Sequence, residues 1–181
     1  HCIESDDWKP LVVADLGRKG TANSTLTRLE VNPQDYQGEK PTDAQTQTYT
    51  LDANGKETSW YKLAKGRLKG RKCFPCIFEG APMAQEGSRD QVMMAYVGQA
   101  IGLLAREATS SAEGIYSLFF DAAARLDNDE DNPDWTDTLW EKVCRLWGLE
   151  EAKIETERIQ HEQAVKETKT MGETIVEGMA A

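Results

Sequence analysis

The chain has 181 residues, with 21 lysines and arginines against 31 aspartates and glutamates, so its formal net charge at neutral pH is −10. This composition excludes a collagen-like protein, and 39% hydrophobic residues are enough for a folded core, which argues against a wholly disordered chain. No apolar run approaches the roughly 20 residues of a membrane-spanning helix, and the first residues, HCIESDDWKP, lack the pattern of a signal peptide. We therefore expect a cytoplasmic protein with no membrane partner.

The charge is distributed unevenly along the chain. Residues 1–80 hold 12 basic and 11 acidic residues, whereas residues 81–181 hold 9 basic and 20 acidic ones. The acidity therefore belongs to the second half, and phosphate recognition needs only a local basic patch.

The first 70 residues have features of β-structure. The apolar run at residues 11–13 and the alternation at residues 24–31 favour strands. After a polar loop, residues 48–51 and 58–63 flank the sequence DANG, which is typical of a hairpin turn. We predict a small β-rich region over residues 1–70.

From residue 88 the apolar spacing becomes helical. Ser88 and Gln91 form a capping-box pattern at the start of a first helix, and Ser110 and Glu113 repeat it at the start of a second. The first helix is predicted from the apolar series Val92, Met93, Tyr96, Val97, Ala100, Ile101 and Leu104, and the second from Ile115, Leu118, Phe119, Ala122, Ala123 and Leu126.

A third helix is predicted to begin at Asn132 and Pro133 and to stop at Gly148. Its apolar face comprises Trp135, Leu139, Trp140, Val143, Leu146 and Trp147. The short connections favour an antiparallel bundle over residues 71–148, and residues 149–181 read as a polar helical tail or linker, too polar for a coiled coil. The predicted fold class is therefore α+β, with a short β-rich N-terminal region followed by a three- to four-helix antiparallel bundle.

The most pointed chemical signal is the basic run at residues 62–72. It contains no acidic residue and six cations, namely Lys62, Lys65, Arg67, Lys69, Arg71 and Lys72. Arg89 follows at a predicted helix start, where free backbone N–H groups and a guanidinium favour a phosphate. The seven side chains are candidate nucleic-acid contacts. The alternative is a solvated basic loop, with Arg89 paired to Glu86 or Asp90.

Aromatic residues surround the basic run: Trp60 and Tyr61 precede it, and Phe74 and Phe78 follow it. Rings beside a cationic groove can stack on the bases of a single strand. The alternative is that Phe74 and Phe78 pack into the core beside Ile77.

The four cysteines raise the question of a metal. Cys73 and Cys76 have CxxC spacing and are the candidate zinc or iron–sulfur ligands, but there is no second CxxC. Cys2 is near the start of the chain and Cys144 is on an apolar helical face. We expect reduced structural thiols and no cofactor.

Other catalytic signals are poor. Asp127, Asp129 and Asp131 resemble the start of an EF-hand loop, but Asn132 and Thr138 replace its glycine and glutamate. The only histidines are His1 and His161, so no catalytic triad can be assembled, and no phosphate-cradling or dinucleotide motif is present. By itself the chain is not expected to be an enzyme.

A basic stretch, the sequence FPCI, Gly87, Arg89, an apolar helix and a second helix opened by SSAE follow one another over residues 71–147. This order resembles the helical region of archaeo-eukaryotic-type primases, as found after the catalytic domain of phage and plasmid primase-polymerases and in the C-terminal domain of the primase large subunit. The resemblance implies a DNA replication protein whose helical module grips single-stranded DNA or a template-primer, with Arg89 and the basic residues before Cys73 as contacts. A separate primase-polymerase catalytic domain would make the bonds, which fits a chain whose start at His1 rather than Met suggests processing, trimming or excision from a longer polypeptide.

The same resemblance implies an iron–sulfur cluster with Cys76 as its first ligand, although Cys144 alone cannot supply the later cysteines. A functional alternative of another class stays open. In it, the acidic helical half is a protein-interaction or assembly module that docks a basic partner and binds no nucleic acid.

Overall fold

The computed structural model describes residues 31–83, 88–126 and 134–180, with side chains as far as residue 169. This part of the chain forms six helices. They are α1 (Asp43–Thr50), α2 (Ser59–Leu68), α3 (Phe74–Phe78), α4 (Arg89–Leu104), α5 (Ala112–Ala124) and α6 (Trp135–Ala180).

Helices α4, α5 and α6 form the central bundle. Asp90 at the start of α4 pairs with Lys142, and Arg106 just beyond its end pairs with Glu157 at 2.7 Å, so α4 and α6 run parallel. Helix α5 packs mainly on α6, and the shorter α1, α2 and α3 pack on α5 and α4. The core lies between these helices, where the largest fully buried side chains include Met93, Ile101, Leu104, Ile115, Tyr116, Phe119, Leu139 and Val143.

The prediction of an α+β fold with a β-rich N-terminal region is wrong. Residues 48–51 and 58–63, predicted as strands, belong largely to α1 and α2, and the described residues contain no sheet. The DANG segment is indeed a turn, closed by a single isolated bridge between Leu51 and Glu57. The strands predicted at residues 11–13 and 24–31 fall outside the described residues, except for Val31, which is in an irregular segment.

Threonine caps and apolar spacing explain why these segments are helical. Thr42 and Gln45 form a reciprocal capping box at α1, and the Thr58 hydroxyl accepts a hydrogen bond from the backbone N–H of Tyr61 at the start of α2. The α2 residues Trp60, Ala64 and Leu68 recur every four positions and are buried. Helical burial therefore outweighs the strand preference of threonine and tyrosine at these positions.

The three long helices occupy the segments with helical spacing, but their starts differ in detail. Ser88 makes no capping hydrogen bond with its side chain at α4. At α5 the cap is Ser111, whose hydroxyl accepts from Gly114 N–H at 3.0 Å, rather than Ser110. At α6 the carboxylate of Asp134 accepts from the backbone N–H of Thr136 at 2.9 Å, and Asn132 and Pro133 fall outside the described residues.

Gly148 does not stop the third helix, because α6 continues to Ala180 and includes the residues predicted as a polar tail. An extended segment, residues 31–41, lies antiparallel along α6, and we call it the strap. The backbone N–H groups of Val31 and Tyr36 donate to the Thr156 hydroxyl at 3.1 Å and to the Cys144 carbonyl at 3.0 Å. Lys40 at the end of the strap also pairs with Asp137, so the contacts of the strap extend from residue 137 to residue 156 of α6, about five helical turns.

Candidate nucleic-acid interface

The basic run forms an exposed surface on α2 and the turn that follows it. Lys62, Lys65 and Lys69 are spaced three and four residues apart, so they share the face of α2 opposite its buried residues. Gly70, with φ of +78°, lets the chain leave α2 in a left-handed conformation that other residues avoid. Arg71 and Lys72 are exposed in this turn. We call these five side chains the cationic surface.

Most of these cations have no acidic partner. Lys65 pairs with Glu57 at 2.9 Å, and the neighbouring Arg67 pairs with Glu107 at 2.6 Å. Lys62, Lys69, Arg71 and Lys72 make no ion pair with the described residues. Four neighbouring positive charges are therefore without an acidic partner among the described residues, and such a cluster makes the local potential more positive than the net charge of the chain suggests.

Three aromatic rings border the cationic surface. The Tyr61 and Phe78 rings are 5.3 Å apart between centroids, and the Phe78 and Phe74 rings are 4.8 Å apart. The Lys65 ammonium lies 6.0 Å from the centre of the Tyr61 ring. All three rings are half-buried, whereas Trp60 is only 7% exposed and belongs to the core. Three of the four predicted stacking residues are therefore adjacent and partly accessible.

The buried thiols behind the turn hold its backbone in place. The Cys76 thiol donates to the Cys73 carbonyl at 3.0 Å, and the Cys73 thiol contacts the Gln99 side chain at 3.6 Å. A guanidinium N–H of Arg125 donates to the Cys76 carbonyl at 3.1 Å, which ties α3 to the end of α5. The cationic turn therefore rests on a fixed support.

Arg89 does not join this surface. It begins α4, whereas Arg67 meets Glu107 beyond the other end of α4 and Cys73 meets Gln99 in the second half of that helix. With a rise of 1.5 Å per residue, Arg89 lies about 15 Å along the axis from Gln99 and further from Arg67. The structure thus gathers six of the seven predicted contacts in one region and separates Arg89 from them.

The cysteines do not come together as a metal site within the described residues. Cys73 and Cys76 are near Gln99 and Arg125, whereas Cys144 on α6 is near Asp35 and Glu113. No group of three or more histidine, cysteine, aspartate or glutamate side chains suited to a metal occurs in the ranges described. The ligands expected for a four-cysteine iron–sulfur cluster are therefore not assembled there, and the zinc or iron–sulfur site stays untested because Cys2 lies outside those ranges.

Burial raises the pKa values of these thiols. Desolvation, followed by the nearby Cys73, raises the pKa of Cys76 to about 12. Desolvation likewise raises the pKa of Cys73, and it raises the pKa of Cys144 to about 11. Since the thiolate is the nucleophilic form, these shifts lower the reactivity of the thiols towards alkylating reagents.

The other sequence candidates add no site. The EF-hand-like aspartates and His1 lie outside the described residues, and His161 is exposed on the last part of α6. A polar groove that sequence patterns did not indicate lies beside the strap, with Lys40 and Glu113 among its lining residues. Lys40 pairs with Asp137, and Glu113 accepts a hydrogen bond from Tyr36, so both charged groups already serve the fold.

Comparisons of the chain with models of protein families, with curated proteins and with solved structures found no match. Within the described residues, none of the helices combines the length and the apolar character that crossing a membrane requires.

Proposed function

We propose that this chain is a nucleic-acid-binding module that holds phosphates on its cationic surface. One observation carries the proposal: Lys62, Lys69, Arg71 and Lys72 are exposed side by side without an acidic partner among the described residues, in a chain with ten excess negative charges. Mutual repulsion makes such a cluster unfavourable in isolation. A polyanion relieves this repulsion and releases its own counterions when it binds.

The composition of the cluster supports phosphate over a carboxylate ligand. Lysine provides a mobile point charge and arginine a planar fork, and both match the spaced oxygens of a phosphodiester backbone. The exposed stripe on α2 and the turn at Arg71 form a row of cations rather than a closed pocket. A row suits a chain of phosphates better than a single small anion.

By its resemblance to primase helical domains, the chain would hold single-stranded DNA or a template-primer for a replication protein. The catalytic primase-polymerase domain would be supplied separately, and this chain would not be an enzyme by itself. This extension rests on the order of motifs and not on any similar protein found. We expect tighter binding to a primer-template junction than to either blunt duplex or single strand of equal length.

Fluorescence anisotropy with labelled oligonucleotides over a salt series tests the proposal. Four phosphate contacts on a single strand predict a slope of about −3 in the logarithm of affinity against the logarithm of salt concentration. We expect Lys69→Glu with Arg71→Glu to weaken binding more than about tenfold. Arg89→Ala is expected to leave the affinity unchanged, because Arg89 lies at the other end of α4.

A matched control separates local contacts from net charge. Arg145 and Lys169 are exposed on α6, and Arg145→Glu with Lys169→Glu changes the net charge by the same amount as the first double variant. We expect this control to bind like the parent. Absence of binding by the parent at low salt, or equal losses in both double variants, would overturn the proposal.

A second candidate function is an acidic interaction module, and an exposed part of α6 favours it. From His161 to Lys169 every α6 side chain is exposed except Gln163, which is half-buried. This stretch has two acidic and two basic residues, so the preference for a basic partner rests on the acidic excess of residues 81–181 as a whole. A fluorescent lysine-rich helical peptide that binds the parent and the Lys69→Glu, Arg71→Glu variant equally would support this function. Loss of peptide binding in that variant, or no peptide binding at all, would argue against it.

A further inference from the structure

We infer that the cationic surface binds single strands in preference to duplex, because an unpaired base stacks on the ring cluster formed by Tyr61, Phe74 and Phe78. This inference rests on the proposed function and specifies its ligand. The observation behind it is the continuity of three half-buried rings with the phosphate-binding cations.

The rings are not stacked face to face. Tyr61 and Phe78 are inclined at 65° to each other in an edge-to-face contact, and Phe74 and Phe78 are inclined at 41°. All three pack against the core with part of their surface still accessible. A base that stacks here would cover apolar surface that is exposed in the free protein.

Cations stand at both ends of the ring cluster. At one end the Lys65 ammonium is 6.0 Å from the Tyr61 ring centre. At the other end, the Phe74 backbone N–H donates to the Arg71 carbonyl at 3.0 Å, so Arg71 and Phe74 belong to one tight turn. A nucleotide whose base stacks on a ring would have Arg71 near one flanking phosphate, and near the other Lys65, which would exchange its pairing with Glu57 for the phosphate.

Duplex DNA cannot use this arrangement fully. Its base faces are stacked on one another, so it offers the surface phosphates but no free ring to stack. Electrostatics alone favours duplex, since its charge density is higher and its counterion release larger. A preference for single strand would therefore report contact with bases rather than charge.

The test compares three probes of equal length: single-stranded oligothymidine, duplex DNA, and an abasic strand that keeps the deoxyribose phosphates but lacks bases. We expect the parent to bind oligothymidine about tenfold more tightly than the abasic strand, within the range for one stacked base. Phe74→Leu should reduce this difference and leave the salt slope unchanged. Phe120→Leu, a half-buried ring on α5 outside the cluster, is the matched control and should keep the difference.

A measurement on the parent alone guards against misfolded variants. Oligonucleotide carrying 5-iodouracil crosslinks to aromatic side chains that lie against the base when it is irradiated. We expect mass spectrometry to locate the crosslink at Tyr61, Phe74 or Phe78. Crosslinks located only elsewhere would overturn the inference.

The outcomes distinguish failure of base stacking from failure of phosphate binding. Equal affinity for the abasic strand and oligothymidine would overturn base stacking while the phosphate-binding proposal stands. No binding to any probe at low salt would overturn the proposed function as well. Binding to phosphatidylserine vesicles but to none of the three probes would overturn both, and would assign the surface to a membrane.

Discussion

Gly148 and Gln34, 114 residues apart in the sequence, meet where the strap crosses α6. A Cβ atom on Gly148 would lie 2.8 Å from the carbonyl carbon of Gln34, 3.2 Å from Cα of Asp35, and closer still to the Gln34 carbonyl oxygen. These neighbours are backbone atoms, which cannot turn aside as a side chain can. The absence of a side chain at Gly148 is therefore what lets the strap touch the helix.

Gly148→Ala should destabilise the fold by about 1 to 3 kcal/mol, because the strap or the helix must move to admit the methyl group. Urea denaturation followed by circular dichroism measures the change. Gly102→Ala in α4 is the control, since nothing lies within 4 Å of a Cβ there and alanine favours the helix, so we expect a gain of about 0.5 to 1 kcal/mol. A stable Gly148→Ala protein would show that the strap does not need this contact.

Tyr36 should make the protein sensitive to alkali. Its hydroxyl donates to Glu113 at 2.7 Å, and this hydrogen bond, followed by burial, raises the pKa of Tyr36 to about 12 from the usual 10. Between these values the unfolded chain loses the phenolic proton while the folded chain keeps it, so stability falls as the pH rises.

We expect Tyr36→Phe to lower the free energy of unfolding by about 1 kcal/mol at neutral pH. As the pH rises to about 12, the stability of the variant should fall less steeply than that of the parent. Denaturation curves of both proteins at several pH values measure this difference. The raised pKa values of Cys76 and Cys144 act in the same range, but they are common to both proteins and cancel in the comparison. Parallel pH profiles would contradict the role of Tyr36.

Asp134 should govern an acid-dependent part of the stability through the start of α6. The backbone N–H and then the hydroxyl of Thr136 lower the pKa of Asp134 by hydrogen bonding. The cap is therefore fully effective above the unfolded pKa near 4 and is lost as the pH falls through the lower folded value.

Asp134→Ala should cost about 1 kcal/mol at neutral pH, and this cost should vanish in strong acid. Asp134→Asn keeps an oxygen acceptor without the charge, so it should stay close to the parent at neutral pH and lack the acid-dependent loss. Chemical denaturation over the acid range compares the three proteins. An Asp134→Ala cost that does not change with pH would argue against the cap.

The thiols of Cys73 and Cys76 should resist alkylation in the folded protein. A pKa of about 12 for Cys76 leaves about a thousandfold less thiolate than an ordinary cysteine has at slightly alkaline pH. Iodoacetamide should modify both residues only in denaturant, and peptide mass spectrometry detects the modification. Half-buried Cys144 should react more slowly in the native protein than in the denatured control. Rapid native labelling of Cys76 would indicate an open turn.

The long-helix segments were predictable because their apolar residues recur at steps of three and four, as α4 and α5 show. The α1 and α2 segments were misread as strands because they flank the DANG turn, which is typical of a hairpin. A helical signal was nevertheless present in the α2 segment, because Trp60, Ala64 and Leu68 recur every four residues. The prediction that the third helix ends at Gly148 was wrong for another reason. The glycine is needed where the backbone of Gln34 packs against the helix, and the sequence around Gly148 does not indicate this contact.

For the candidate site, composition predicted the exposed cations on α2 but not their separation from Arg89. Lys72 and Arg89 are only 17 positions apart in the sequence, yet the chain between them runs from beside the second half of α4 back to the start of that helix. Proximity in sequence therefore did not translate into proximity in space. The pairing of Arg67 with Glu107 likewise depends on packing between α2 and the end of α4.

The strap also constrains the order of folding during translation, because its partners in α6 are synthesised long after it. Its hydrogen bond from Val31 reaches Thr156, a sequence separation of 125 residues. At about 5 to 20 residues per second, translation needs about 6 to 25 s to supply the partner after the strap has been made. Closure along α6 is therefore among the last steps of folding, and until then the strap is exposed to water and to other chains.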